Sequence, residues 1–75
     1  LAPHLTVAEN IVLGDEPTRA GLLDRSGLRA RAAEVVKAGG FDLPLDARVS
    51  QLGAATRQLV EIAKALAGNA RILLL

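Results

Sequence analysis

Three stretches of this chain repeat their apolar residues at a helical period, and glycine, proline or capping residues bound each one. A mainly α-helical fold is therefore the architecture that these 75 residues predict. Thr6 and Glu9 have capping-box spacing: the threonine oxygen takes a free first-turn amide, and the glutamate reaches back. The helix that follows is expected over 7–13, with Ala8, Ile11 and Val12 on one face and a stop at Gly14. Asp15, Glu16 and Pro17 break the pattern, and 18–27 reads as loop with at most a short turn.

A second helix is expected over 26–38, with Asp24 or Ser26 as its N-cap. Leu28, Ala32, Val35 and Val36 fall on one stripe, and Arg29, Arg31, Glu34 and Lys37 lie mainly off it. Gly39-Gly40 supplies a left-handed stop. Phe41, Leu43 and Leu45, in the irregular link that follows, should plug the space between helices. The third helix, over 54–67, is expected to bury Leu59, Ile62, Ala63 and Leu66 and to close at Gly68-Asn69. Glu61 and Lys64 on it form an i, i+3 pair, worth a few tenths of a kcal/mol at most, roughly. The final run, Ile72-Leu73-Leu74-Leu75, has the pattern of a strand buried on both faces of a parallel sheet. One strand makes no sheet, so the run extends the last helix, pairs with another copy or frays unless other residues complete it.

Composition limits the chemistry. With no cysteine and a single histidine, His4, the chain can build neither a disulfide framework nor a thiolate or histidine metal site. Nine basic residues against eight acidic ones do not by themselves point to a nucleic-acid or membrane surface. No apolar run is long enough to span a bilayer, and the first residues lack the pattern of a secretory signal. A domain of this size with one aromatic residue, Phe41, sits at the low edge of independent stability. Together with the lack of any methionine, this points to a piece of a larger protein.

Three blocks, in order, carry a resemblance: Leu5-Thr6-Val7-Ala8-Glu9-Asn10-Ile11, Val60-Glu61-Ile62-Ala63-Lys64-Ala65-Leu66 and Arg71-Ile72-Leu73-Leu74-Leu75. The chain resembles the ATP-binding cassette of ABC transporters, most closely the sugar importers of the ribose, xylose and galactose type and the first of their two fused cassettes. The likeness runs over essentially the whole chain and includes Leu13-Gly14-Asp15-Glu16-Pro17. It implies that residues 1–70 are the helical (signature) subdomain between the Q-loop and Walker B, and that 71–75 begin the Walker B strand. By the same resemblance the parent binds ATP and magnesium and hydrolyses ATP to drive sugar import. It works at the inner face of the cell membrane with permease subunits and a second cassette. Leu5, Thr6, Glu9 and Asn10 fall at the permease contact. The phosphate loop with its lysine, the Walker B carboxylates, the catalytic glutamate and the switch histidine have no counterpart in these residues, so the isolated chain is expected to be neither an ATPase nor a tight ATP binder.

The family signature, Leu-Ser-Gly-Gly-Gln, aligns with Leu52-Gly53-Ala54-Ala55-Thr56. In the family this element starts a helix and holds the γ-phosphate of the nucleotide on the opposite cassette, as helix N-termini hold anions in general. Here Gly53 has no hydroxyl, and Ala54 and Ala55 put methyl groups where glycine lets a phosphate approach, so the site reads as degenerate. The plainer readings stand beside these. Residues 52–56 alone are an ordinary helix start, Thr6 and Glu9 are first a cap, Arg25, Arg29 and Arg31 a solvated face, and His4 an exposed loop residue. Asp24, Asp42 and Asp46 are too irregularly spaced for an EF-hand or a carboxylate pair. A helical protein-interaction module is the second reading of the whole chain. A helix-turn-helix fragment is third, since no complete recognition helix follows 58–75 and the charge is low.

Overall fold

In the computed structural model the backbone is described for residues 1–14 and 24–74, and the side chains for 1–14 and 24–68. Three helices make up the fold: α1 (Val7–Leu13), α2 (Arg25–Gly39) and α3 (Ala54–Leu74), with a 3₁₀ turn at Val49–Gln51 before α3. Among the described residues there is no strand, only an isolated antiparallel bridge between Thr6 and Arg48. The expected break at Asp15, Glu16 and Pro17 and most of the 18–27 loop lie outside the described residues; Arg25, Ser26 and Gly27 already belong to α2.

α1 is short because its ends are fixed locally. Thr6 Oγ1 accepts from the Glu9 amide at 3.1 Å, and Glu9 Oε1 accepts from the Thr6 amide at 2.9 Å, which is the expected capping box. At the other end Gly14 takes a φ of 60°. More of α1 is covered than one stripe predicts: Val7, Ala8, Asn10, Ile11, Val12 and Leu13 are all buried. The helix lies between the other two, as a helix apolar on most sides must. Val7 and Ile11 pack with Val60, Ala63 and Ala67 of α3, while Ala8 and Val12 pack with Leu28 and Ala32 of α2. Leu45 touches both clusters and Leu43 is buried in the first, so the link does fill the space between helices.

α2 starts one residue earlier than predicted, with Asp24 as N-cap accepting from the Gly27 amide. That bond, with a second from Ser26, holds the Asp24 carboxyl below its ordinary value. The stop is a Schellman motif: Phe41 N–H donates to Val36 O at 3.0 Å and Gly40 N–H to Lys37 O at 3.2 Å, with Gly40 at φ 72°. Gly39 is required for another reason. A Cβ there would lie 2.4 Å from the Phe41 ring, so the ring can fold back on the helix only over a glycine.

α3 departs from expectation twice. Its buried face is Val60, Ala63 and Ala67, whereas Leu59, Ile62 and Leu66 remain 38%, 49% and 44% exposed. Small side chains face α1 because they let two helices approach closely, and the larger stripe is turned outward. The helix also does not close at Gly68-Asn69 but runs to Leu74. A helical glycine costs about 1 kcal/mol, and backbone groups without a sheet partner are satisfied by continued helical bonding. Of the three outcomes expected for the terminal run, helix extension is the one found through Leu74.

Candidate functional site

The segment before α1 and the segment leading to α3 are tied around the isolated Thr6–Arg48 bridge. Residues 3–8 run antiparallel to residues 45–50, tied by Val7 N–H to Ala47 O (2.9 Å), Ala8 N–H to Leu45 O (3.0 Å), Val49 N–H to Leu5 O (3.1 Å) and Ser50 N–H to Pro3 O (2.9 Å). The Arg48 side chain adds a bond to His4 O at 3.2 Å. The 3₁₀ turn then delivers the chain to Leu52, whose amide donates to Val49 O at 3.1 Å, and so to the start of α3.

Of the residues aligned with the signature, Leu52 is half-buried against the core, Gly53, Ala54 and Ala55 are exposed, and Thr56 is half-buried. The Gly53 carbonyl accepts from the Arg57 amide at 3.0 Å and opens the helix. With no side chain there, no side-chain oxygen caps the first-turn amides from this position, and the positive end of the helix dipole faces outward. A Cβ at Gly53 would meet no atom within 4 Å, so a serine fits the backbone as it stands.

Among the residues placed at the partner contact, Leu5, Thr6 and Glu9 are half-buried. Asn10 is different: it is 2% exposed and spends its carboxamide internally. Its Oδ1 accepts from Ala2 N–H at 2.7 Å, and its Nδ2 donates to Ala2 O at 3.0 Å and Thr6 O at 2.9 Å. It therefore pins the segment that carries Leu5 and Thr6 onto α1. Beside Thr6 and Glu9 opens a cleft of about 200 Å³, bordered by Arg25, Arg29 and Asp46. Arg29 Nε donates to Asp46 Oδ1 at 3.0 Å, and this pairing lowers the Asp46 pKa from its ordinary value.

Local spacing makes Thr6 and Glu9 legible from sequence. The roles of Arg48 and Arg57 depend on main-chain carbonyls of remote or non-helical residues, and no periodicity marks them. Among the described residues no group of three His, Cys, Asp or Glu side chains could hold a metal ion, and no helix is long and apolar enough to cross a membrane.

The chain is homologous over its whole length to ATP-binding subunits of carbohydrate ABC importers. It is 53% identical over 75 residues to the ribose import ATP-binding protein RbsA 1 of Streptomyces avermitilis, all of this chain and 14% of that protein. The xylose import ATP-binding protein XylG of Photobacterium profundum is 45% identical over 75 residues, all of the chain and 15% of that protein. The arabinose import ATP-binding protein AraG of Pseudomonas syringae is 42% identical over 73 residues, 97% of the chain and 14% of that protein. The chain thus spans about one seventh of the length of these relatives. No family model and no solved structure matches it.

Proposed function

We propose that this chain is the helical, signature-bearing subdomain of the ATP-binding subunit of a carbohydrate importer, lying between the Q-loop and Walker B. In the whole protein the start of α3 faces the ATP held by an opposing cassette. Leu5, Thr6 and Glu9 face the permease, with Asn10 holding their segment from beneath. ATP, magnesium and the hydrolytic residues belong to the rest of the protein, which works at the inner face of the membrane. Residues 71–75 are helical through Leu74 here and take up the Walker B strand only when their sheet is present. The reading rests above all on homology, along the whole of this chain, to a segment of sugar-import ATP-binding proteins, and the exposed position of residues 53–55 at the helix start is consistent with it.

The Gly53, Ala54, Ala55, Thr56 sequence makes that composite site slow. Losing a preorganised donor at developing phosphate charge costs about 2–4 kcal/mol, a hundredfold or more in rate. The test is to restore Gly53→Ser, Ala54→Gly, Ala55→Gly and Thr56→Gln in the full-length protein, with the other nucleotide site disabled. Single-site turnover should rise by about a hundredfold. An unchanged rate means that these residues do not meet the phosphate or that their departure from the family pattern is harmless.

A further inference from the structure

Val49 and Ser50 have all four of their main-chain polar groups committed, and to two different places. Their N–H groups go to the carbonyls of Leu5 and Pro3. Both carbonyls accept from one side chain, Arg57: Nε reaches Val49 O at 3.3 Å, beside the Leu52 N–H at 3.1 Å, and Nη2 reaches Ser50 O at 3.5 Å. Arg57 sits in the first turn of α3, next to Thr56. One guanidinium fork therefore ties the start of α3 to the same two residues whose amides hold residues 3–5. A planar fork with several donors suits two successive carbonyls, which a lysine ammonium on a flexible stem matches poorly. Between the turn and the helix lies only Leu52-Gly53, with Leu52 extended and Gly53 free of neighbours around its Cβ position. Without Arg57 the start of α3 is tied to Val49 and Ser50 only by the Leu52 N–H to Val49 O bond and by the packing of Leu52 on the core.

We propose that Arg57 is a positioning residue, a strap that makes the α3 start and residues 3–8 one body, so that a displacement of residues 53–56 at the nucleotide interface is delivered to Leu5, Thr6 and Glu9. The inference rests on the placement of those two surfaces given under Proposed function. It does not ask Arg57 to hold the fold together. Val49 is buried in the core, and its backbone bonds to the first segment are made without the guanidinium.

The experiment uses the full-length subunit assembled with its permease in vesicles, comparing Arg57→Ala and Arg57→Lys with the parent. Three quantities are read: sugar moved per ATP hydrolysed, the KM for ATP, and amide hydrogen exchange at Leu52, whose N–H bonds the same Val49 carbonyl as Arg57. In Arg57→Ala, exchange at the Leu52 amide should quicken and transport per ATP should fall by about fivefold or more, the lower end of ordinary coupling between sites. The KM for ATP should change by less than about twofold, since the strap binds no nucleotide. Arg57→Lys, which keeps one charged donor in reach, should recover part of the ratio. Faster exchange with an unchanged ratio overturns the proposal, as does unchanged exchange. A ratio that falls without any lysine rescue, in step with lost thermal stability, overturns it too, because the residue is then merely structural. Failure of the underlying placement shows separately, as a thiol-labelling rate of Gly53→Cys that is indifferent to saturating ATP.

Discussion

At the residue scale, Asn10 connects the capping of α1 to the surface above it. Its buried carboxamide satisfies both main-chain groups of Ala2 and adds a second donor to Thr6 O. Asn10→Ala should lower the stability of the chain by about 2 kcal/mol, because the Ala2 N–H loses its partner, Ala2 O keeps only the Leu5 amide, and a small cavity opens. Urea unfolding measures this, and an unchanged midpoint would show that water replaces the carboxamide at no cost. This role was only half legible. The sequence places Asn10 in the Leu5-to-Ile11 block, where the resemblance implies a partner contact, but a side chain turned inward to main-chain groups eight residues away leaves no mark in local spacing. Thr6, Glu9, Asp24 and Gly40 were legible for the opposite reason: each acts on backbone within five residues of itself, and capping chemistry depends on little else.

At the scale of elements, α3 shows where periodicity stops being enough. It carries two stripes, a bulky one at Leu59, Ile62 and Leu66 and a slim one at Val60, Ala63 and Ala67. Hydrophobicity favours the first, yet the slim one meets α1, because the crossing of two helices is decided by how closely their backbones can approach. Val60→Ala should therefore cost about 2 kcal/mol, for two lost methyl groups and the gap they leave. Leu59→Ala, one position earlier and on the open side, should cost less than about 1 kcal/mol. Thermal unfolding of the two variants checks the assignment, and the reverse order would return Leu59 to the core. The far end of α3 makes a related point. An apolar run that reads as a strand is helical here through Leu74, since a strand needs a neighbour to bond and a helix does not.

At the scale of the whole molecule, the fold fixes the segment before α1 and the segment before α3 against each other. α1 is clamped between its neighbours, residues 3–8 are paired to 45–50, and the paired segment leads through one turn to the helix start at Ala54. The helical architecture was readable because every helix carries its own period and ends. The pairing of the two segments was not, since it joins stretches about forty residues apart by main-chain bonds that no side-chain pattern encodes. The central claim is that the α3 start meets ATP on an opposing cassette, and Gly53 offers a direct probe, because a side chain there meets no atom within 4 Å. Gly53→Cys in an otherwise cysteine-free, hydrolysis-disabled full-length protein can be titrated with a small thiol reagent at rising ATP. If the cysteine lies at the bound nucleotide, its labelling rate at ATP a hundred times the Kd should fall toward about one hundredth, following the fraction of empty site. A labelling rate indifferent to saturating ATP would contradict the placement of this helix at the nucleotide.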